Sequence, residues 1–290
     1  MDCPVWLYAF RVRNDRAMTR GLEGRNALVT GGGSGLGLAC AERLRADGAT
    51  VTIIGRTENR LATAAERLGT IDAPGEVRWL VADVTDEQAV EAAIEHADKE
   101  GGLSIVVASA GVGWLAPIAS VPLDAWRNVM EVNVTGNFLT LKHAAPRLRA
   151  AGGGAYTAIS SLMGARACGF LSPYSTAKAA VDMFVRSAAD ELGPWGIRVN
   201  SVLPGLVPSD LAGEMTTDPE LRDEYLDNMP IRRLGRPEDI AAAVRFLSGP
   251  DASWVTGVNL SVDGGHHLRR APRFDGYLRR EYGQDWLPPR

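Results

Sequence analysis

The sequence predicts an α/β fold, a doubly wound parallel sheet of about seven strands with helices on both faces. Short runs of Val, Ile, Leu and Ala alternate along the chain with longer amphipathic segments. The runs show little polar alternation, which is typical of strands that are buried on both faces of a parallel sheet. Alternating β and α elements then require right-handed crossovers, so we expect the sheet to lie between two layers of helices.

Each predicted element follows from this alternation. Pro237 with Glu238 and Asp239 is typical of the first turn of a helix. Asp83 and Thr85 suit the N-cap of the third helix. The predicted strands are 26–30, 49–55, 77–82, 103–108, 155–160, 197–203 and 257–262. The predicted helices are about 35–47, 57–68, 86–99, 122–150, 172–193 and 237–248.

The domain boundaries follow from where the alternation begins and ends. Residues 22–265 are predicted to be one domain, since α/β units of this length are common. Within it, residues 204–230 are a long insertion after a strand, where a substrate lid is expected. Residues 266–290 are a basic and aromatic tail. Residues 1–21 are an N-terminal extension, either native or an over-long start ahead of Met18.

Composition argues against several classes of protein. With 31 basic and 35 acidic residues the net charge is −4, which does not favour binding to nucleic acid or to an anionic membrane. No apolar run is long enough to span a bilayer, and the N-terminal run is too short for the core of a signal peptide. Cys3, Cys40 and Cys168 are scattered, which suits a reducing, cytoplasmic location. His266 and His267 lack further ligands at suitable spacing, so we expect a surface pair and no metal.

A glycine-rich loop at residues 30–37 joins the first strand to the first helix. Its glycines follow the pattern G-x-x-x-G-x-G at Gly31, Gly35 and Gly37. Without Cβ atoms, such a loop turns tightly and brings backbone N–H groups close to a pyrophosphate at the helix N-terminus. Its position between strand and helix predicts a dinucleotide site. The alternative is a tight turn that holds no ligand.

The end of the second strand predicts which dinucleotide is bound. NAD-binding folds commonly place an acidic residue there for the ribose 2′-hydroxyl, but this chain has Gly55 followed by Arg56. An arginine can pair with a 2′-phosphate through charge-assisted hydrogen bonds. We therefore expect NADP(H) to be preferred. Glu58 leaves NAD(H) possible, and a solvated surface arginine is the alternative for Arg56.

Tyr174 and Lys178 lie four positions apart in the 172–193 segment, so a helix places them on one face, one turn apart. Ser160 and Ser161 end the preceding apolar run. A phenol beside an ammonium group, with a hydroxyl nearby, is suited to general acid/base chemistry. Taken singly, these residues are also typical of core packing, a solvated helix face and a strand cap.

These motifs together make the sequence resemble the short-chain dehydrogenase/reductase family from about Leu22 to Gly265. The resemblance implies a Rossmann-type fold and a nicotinamide-dependent oxidoreductase. One departure concerns Ala108 and Ser109, where the family has two asparagines, and it predicts a weaker contact with the cofactor's ribose. The matching positions, in chain order, are Thr30, Gly31, Gly35, Gly37, Asp83-Val84, Ala110-Gly111, Asn133, Ser161, Tyr174, Lys178, Pro204-Gly205 and Asp263-Gly264-Gly265.

The resemblance implies cofactor-binding residues on several loops. Asp83 would accept a hydrogen bond from the adenine amino group, beside the backbone of Val84. Pro204, Gly205 and Val207 would flank the nicotinamide. The whole predicted set is Gly31, Ser34, Gly35, Leu36, Gly37, Arg56, Asp83, Val84, Ala110, Gly111, Tyr174, Lys178, Pro204, Gly205 and Val207.

The resemblance also implies four catalytic residues. Tyr174 would be the general acid for a carbonyl oxygen and, as phenolate, the base for an alcohol. Since a free tyrosine titrates near ~10, Lys178 is expected to lower the tyrosine pKa and to hold the ribose. Ser161, 13 residues before the tyrosine, would polarise the substrate oxygen. Asn133, in the 122–150 helix, would bind a water of a proton relay, and a side chain satisfied by the backbone is the alternative.

Apolar side chains dominate the segments that border the expected pocket. They favour an apolar ketone or secondary alcohol, such as a steroid, terpenoid, alicyclic or acyl compound. The candidate substrate-binding residues are Ser161, Met163, Phe170, Tyr174 and Leu206.

Other functions stay open at this point. An NAD-dependent 3-hydroxyacyl-thioester dehydrogenase/reductase would use the tail residues Arg269, Arg270 and Arg273 to meet phosphates. A non-catalytic NADP(H)-binding sensor would not need the tyrosine and the lysine. An enoyl reductase of the same fold would place the lysine further from the tyrosine. The resemblance also implies a homotetramer or homodimer that pairs through the two longest predicted helices.

Overall fold

The computed structural model of the protein describes residues 21–99, 102–271 and 274–283. The expectations for residues 1–20, Met18 included, and for Arg273 lie outside the described residues. The described chain forms a seven-stranded sheet in the order β3-β2-β1-β4-β5-β6-β7. Its strands are β1 (Asn26–Thr30), β2 (Thr50–Gly55), β3 (Val77–Val81), β4 (Leu103–Ala108), β5 (Gly154–Ile159), β6 (Ile197–Pro204) and β7 (Asn259–Val262).

The predicted doubly wound, Rossmann-type sheet is confirmed. Every neighbouring pair of strands is parallel. The chain runs outward from β1 to β3 and then returns to β4 on the other side of β1. This reversal creates a topological switch point at the carboxyl ends of β1 and β4, where α/β proteins bind ligands. In β4, Val106 and Ala108 pack into one core and Ile105 and Val107 into the other, which explains the lack of polar alternation.

The helices lie on both faces of the sheet, as predicted. They are α1 (Gly35–Ala46), α2 (Glu58–Gly69), α3 (Glu87–Ala97), α4 (Leu123–Met130), α5 (Gly136–Ala150), α6 (Leu162–Ala165), α7 (Ser172–Leu192), α8 (Gly213–Thr217), α9 (Pro219–Asp227), α10 (Pro237–Ser248) and α11 (Asp275–Tyr282). Helices α3, α5 and α7 cover one apolar core, and α1, α2 and α10 cover the other. No helix in the described ranges is both long and apolar enough to cross a membrane.

The predicted continuous helix over 122–150 is interrupted. A π-helical turn at Glu131–Thr135 separates α4 from α5, and it contains Asn133. A π turn shifts the backbone hydrogen bonds from i→i+4 to i→i+5, and such turns are frequent at functional sites. Because the apolar pattern continues on both sides, the sequence does not reveal the turn.

The N-cap of α3 is Asp86 and not the predicted Asp83 or Thr85. The Asp86 carboxylate accepts hydrogen bonds from the backbone N–H groups of Gln88 at 3.0 Å and Ala89 at 3.1 Å. Asp83 instead accepts hydrogen bonds from the N–H group of Thr85 at 2.9 Å and from its hydroxyl at 2.8 Å. Asp83 therefore holds the turn that leads into the helix.

The predicted surface pair of histidines is wrong for His266. Its side chain is fully buried, packs edge-on against Tyr225, and places Nε2 3.1 Å from the carbonyl oxygen of Arg270. The neighbouring His267 is partly exposed, with Nδ1 3.0 Å from an Asp263 carboxylate oxygen. Across the described residues, no group of three or more His, Cys, Asp or Glu side chains is arranged to hold a metal ion.

Candidate active site

A cleft of about 730 Å³ opens at the carboxyl ends of the strands. Loops that follow six strands, β1 to β6, contribute to its lining. One end is formed by the glycine-rich loop and the other by the segments after β5 and β6. The cleft therefore occupies the switch point at which a doubly wound sheet binds its ligand.

The glycine-rich loop forms a close-packed cradle at one end of the cleft. Gly31 and Gly35 have φ values of 65° and 53°, a left-handed conformation that favours glycine. A Cβ atom on Gly31 would lie 3.0 Å from the backbone of Ala110, and one on Gly37 would overlap the Gly31 carbonyl oxygen. Ser34, the N-cap of α1, makes no capping hydrogen bond through its side chain in the described chain. The cradle and the uncapped helix N-terminus fit an anionic pyrophosphate.

Arg56 lies where the sequence predicts it, at the edge of the cleft beside Gly55. It is exposed and forms no ion pair with any described residue. The sequence interpretation missed Arg60, which also lines the cleft and donates a hydrogen bond of 2.7 Å to Asp210. The sequence carries no local signal for this contact, because Asp210 lies 150 positions away.

The middle of the cleft is lined by Asp83, Val84, Ala110 and Gly111, all of them predicted. The loop after β4 is anchored by Thr30, whose hydroxyl accepts hydrogen bonds from the N–H groups of Ser109 at 3.0 Å and Ala110 at 3.1 Å. This anchor was not predicted. It holds the loop in place at the position where Ser109 departs from the family pattern.

Asn133 is fully buried behind this loop. Its Nδ2 group donates to the carbonyl oxygens of Val112 at 2.8 Å and Val129 at 2.9 Å. Its Oδ1 atom has no hydrogen-bond partner among the described residues. A Cβ atom on Gly111 would lie 2.9 Å from Oδ1 and 3.4 Å from Lys178 Nζ, so the two groups face the same space. The side chain is therefore satisfied by the backbone at one end and free to accept a hydrogen bond at the other.

Tyr174 and Lys178 reach the cleft from helix α7. Ser161 reaches it from the segment after β5. The Ser161 side chain lies close enough to the Tyr174 hydroxyl to lower the tyrosine pKa. Lys178 Nζ lies 5.6 Å from the centre of the Tyr174 ring and donates a hydrogen bond of 2.8 Å to the carbonyl oxygen of Ile159. Ser160 also lines the cleft, and its hydroxyl donates a hydrogen bond of 3.3 Å to the Lys178 carbonyl.

Burial controls the electrostatics of this group. It raises the pKa of Tyr174, and the neighbouring Ser161 side chain acts in the opposite direction. Burial lowers the pKa of Lys178 to about 8, and the charge of Asp182 opposes this shift. The tyrosine pKa thus moves opposite to the sequence-based expectation, because desolvation disfavours the charged form of each group.

Asp182 is a buried carboxylate that the sequence interpretation missed. It lies one helical turn after Lys178 and accepts a hydrogen bond of 3.1 Å from the Ser201 hydroxyl. Burial raises its pKa, and the neighbouring Ser160 and Ser201 hydroxyls oppose this shift. The available signal was a carboxylate four residues after the lysine in an apolar helical stretch.

The far end of the cleft is lined by residues that follow β5 and β6. Phe170 is a correction, because it is absent from the cleft lining formed by the described residues. Its backbone has a φ of 68° and its carbonyl accepts a hydrogen bond of 2.9 Å from the N–H group of Ala116, which holds the residue behind the cleft. The lining includes the predicted Met163, Pro204, Gly205, Leu206 and Val207 and the unpredicted Trp114, Leu115, Leu211 and Ala212.

Known proteins share this sequence pattern. The protein-family model described as enoyl-(acyl carrier protein) reductase matches residues 31–267. Galactitol 2-dehydrogenase (L-tagatose-forming) of Cereibacter sphaeroides is 39% identical over 247 residues, which cover 84% of this chain and 96% of that protein. Cis-4-hydroxycyclohexanecarboxylate dehydrogenase of Sinomonas cyclohexanicum is 41% identical over 244 residues, which cover 83% of this chain and 96% of that protein.

Solved structures share the fold. A short-chain type dehydrogenase/reductase from Mycobacterium ulcerans has a TM-score of 0.89 and 39% identity, covering 91% of this chain and 98% of that one. A short-chain dehydrogenase from Burkholderia cenocepacia J2315 in complex with NADP has a TM-score of 0.78 and 32% identity, covering 85% of this chain and 99% of that one. A 7α-hydroxysteroid dehydrogenase with NADH and 7-oxo glycochenodeoxycholic acid has a TM-score of 0.81 and 33% identity, covering 86% of this chain and 97% of that one.

Proposed function

Because the chain belongs to the short-chain dehydrogenase/reductase family and is an oxidoreductase of the alcohol dehydrogenase/carbonyl reductase type, we propose that it interconverts a secondary alcohol and a ketone or aldehyde in this cleft, with NADP(H) preferred. One observation carries the proposal. Tyr174, Ser161 and Lys178 all line the same cleft as the glycine-rich loop, and Lys178 Nζ lies 5.6 Å from the centre of the Tyr174 ring.

The residues proposed to hold the cofactor are those along the cleft. The N-terminus of α1, with Ser34 and Leu36, would take the pyrophosphate, and Lys178 would hold the ribose on the nicotinamide side. When bound, the nicotinamide would supply the hydride in reduction and accept it in oxidation. Pro204 and Val207 would contact the ring from the loop after β6.

The proton chemistry is proposed for the residues around Tyr174. In reduction, Tyr174 Oη gives its proton to the substrate oxygen, and in oxidation the phenolate takes the proton from the alcohol. Ser161 donates a second hydrogen bond to the same oxygen. Lys178, with its pKa near 8, remains largely an ammonium group at neutral pH and favours the phenolate. Asn133 Oδ1 offers an acceptor for a water that would return the proton from solvent.

The preference for NADP(H) rests on positive charge at the adenosine end. Arg56 is exposed there without an acidic partner in the described parts of the chain, and Arg60 is close by on α2. A 2′-phosphate would be a natural partner for such guanidinium groups. NAD(H) remains the second candidate, since Glu58 opens the same helix and a relative with the same fold was solved with NADH.

The substrate is proposed to be an apolar alcohol or ketone, of the steroid, terpenoid, alicyclic or acyl kind. The substrate end of the cleft is lined by Leu162, Met163, Leu206, Met215 and Tyr225. Relatives named for hydroxycyclohexanecarboxylate and a hydroxysteroid agree with such a lining. The relative named for galactitol carries out the same conversion on a polar substrate, so the lining, and not the family, supports the apolar choice.

The alternatives are less well supported. A thioester substrate would need free tail arginines, but Arg270 is paired with Glu224 and Arg269 donates to the carbonyl oxygen of Asp227. The spacing of Tyr174 and Lys178 favours carbonyl reduction over the enoyl reduction in the family model's description. A non-catalytic sensor would need neither Tyr174 nor Lys178, and this chain has both.

We also propose a cytoplasmic homotetramer or homodimer with 22–265 as its catalytic domain and 204–230 as its lid. Leu123 on α4, Phe138 on α5 and Met183 on α7 are exposed apolar side chains on the helices expected to pair.

The test begins with fluorescence titrations of NADPH and NADH, followed by cyclohexanol, 4-hydroxycyclohexanecarboxylate, a 7α-hydroxysteroid and galactitol as substrates. Tyr174→Phe should lower kcat about a thousandfold while NADPH still binds. Tyr156→Phe removes a buried phenol that, among the described residues, bonds only Asn137 on α5, and it should keep activity. Undiminished turnover in Tyr174→Phe would refute the catalytic assignment, and turnover of galactitol alone would refute the apolar substrate.

A further inference from the structure

The chain beyond the matched family region folds back onto the lid. The family match ends at residue 267, and the described parts of the tail are residues 268–271 and 274–283, the second of which contains α11. Phe274 is 1% exposed and Leu278 is fully buried. Both belong to a third apolar cluster together with Leu221 and Tyr225 of α9. The tail thus shares a core with the lid helix.

Aromatic contacts connect the tail to the cleft. The ring of Phe274 lies 6.3 Å from the ring of Tyr225 at 61°, and the ring of His266 lies 5.6 Å from it at 78°. Both are edge-to-face arrangements that hold an aromatic ring in one orientation. Tyr225 lines the substrate end of the cleft on its other side and is only 4% exposed. The position of this wall therefore depends on Phe274 and His266.

Charged contacts attach the tail along the length of α9. Arg280 pairs with Glu220 and, at 3.0 Å, with Asp218, the residue that caps the helix. Arg270 pairs with Glu224 one turn later. On α11, a Cβ atom at Gly276 would overlap the Glu220 carboxylate, so this carboxylate lies directly against the α11 backbone. The tail therefore contacts the beginning and the middle of the lid helix.

The same tail segment also contacts the other wall of the substrate region. Arg166, in the loop after α6, donates to the carbonyl oxygen of Arg269. Arg269 in turn donates a hydrogen bond of 2.9 Å to the Asp227 carbonyl at the end of α9. One short stretch of chain thus joins the wall that follows Ser161 to the lid on the opposite side.

We propose that the described tail segments, 268–271 and 274–283, are a specificity element that holds α9 and Tyr225 against the cleft and so selects compact, single-ring alcohols and ketones over steroid-sized ones. The inference rests on the proposed function of the cleft as a substrate site. A cleft of about 730 Å³ must hold a dinucleotide as well as the substrate, whereas a single drug-sized ligand alone takes a pocket of about 300–1,000 Å³. With Tyr225 fixed, the space left for the substrate is small.

The test compares cyclohexanol with a 7α-hydroxysteroid as substrates, with NADP⁺, in Phe274→Ala and Arg280→Glu. Both variants should shift the ratio of kcat/KM about tenfold towards the steroid. The shift should come from KM, with the Kd of NADPH unchanged. A matched control is Leu148→Ala, which removes a fully buried side chain from a different core. The double variant Arg280→Glu/Glu220→Arg restores the ion pair and should recover the wild-type ratio.

Hydrogen exchange of the α9 amides provides a readout that does not need turnover. Arg280→Glu, an exposed change, should accelerate exchange over 219–227 about tenfold and leave the glycine-rich loop unchanged. If the wild type turns over neither alcohol, the proposed function fails, and exchange alone decides whether the tail holds the lid. Unchanged exchange in both variants would overturn the inference, and so would faster exchange with an unchanged kcat/KM ratio.

Discussion

The guanidinium group of Arg60 donates a hydrogen bond of 2.7 Å to the carboxylate of Asp210, joining α2 to the loop after β6 across the mouth of the cleft. The same loop covers the glycine-rich cradle, since a Cβ atom on Gly35 would lie 3.7 Å from the Ser209 side chain. A bound dinucleotide would therefore leave past this ion pair.

We expect the ion pair to slow the release of NADH, which lacks the 2′-phosphate that Arg60 could also contact. Arg60→Met and Asp210→Asn should each raise the dissociation rate about two- to fivefold, the range for exposed ion pairs. The double variant should match the single ones because both changes remove one interaction. Stopped-flow fluorescence measures the rate, and high salt should abolish the difference. Arg127→Met, at an exposed pair on α4, is the control. Additive effects would show that the two side chains act independently.

Arg56 should decide between the two dinucleotides. Arg56→Ala should weaken NADPH binding about ten- to a hundredfold through the loss of charge-assisted hydrogen bonds and leave NADH binding within about twofold. Parallel fluorescence titrations measure both affinities. Arg25→Ala, an exposed change just before β1, should alter neither. An equal loss for NADPH and NADH would contradict a contact with the 2′-phosphate.

Lys178 should make stability depend on pH. Its pKa is about 8 in the folded protein, against an ordinary value of 10.5. Between these values the unfolded chain binds a proton that the folded chain does not, so folding becomes more favourable as pH rises. Below pH 8 the buried ammonium group costs about 3 kcal/mol.

Lys178→Met removes this cost. The free energy of unfolding of the variant, relative to wild type, should therefore be higher at pH 7 than at pH 10. Urea denaturation at pH 7, 8.5 and 10 measures the difference. The control Leu148→Ala, at a fully buried apolar side chain, changes no titratable group and should give a difference that is constant over this range. A constant difference for Lys178→Met would be inconsistent with a lowered pKa.

The sequence reveals what repeats locally and misses what depends on distant contacts. The strands were predictable because parallel strands such as β4 are apolar on both faces. Tyr174 and Lys178 were predictable because helical spacing alone puts them together. The burial of His266 was not, because it depends on packing against Tyr225 of the lid. The position of Arg60 across the cleft was not predictable either, because its partner Asp210 lies 150 positions away.

Asn133 lies in the π turn between α4 and α5, which the sequence does not reveal. Its amide donates to the Val112 and Val129 carbonyls, and its Oδ1 atom faces the space next to Lys178. Asn133→Ala removes both roles. It should cost about 2–4 kcal/mol of stability, because two buried carbonyls lose their donors.

The loss of Oδ1 should be visible separately in turnover. Asn137→Ala is the matched control, since Asn137 is also buried and donates a hydrogen bond of 2.7 Å to the Asn133 carbonyl, whereas its own Oδ1 atom accepts a hydrogen bond of 2.9 Å from the Tyr156 hydroxyl. Both variants should lose stability, whereas only Asn133→Ala should lower kcat, by about a hundredfold. Urea denaturation and steady-state kinetics at one temperature measure the two effects. An equal fall of kcat in both variants would mean that Asn133 supports the π turn alone and takes no part in proton transfer.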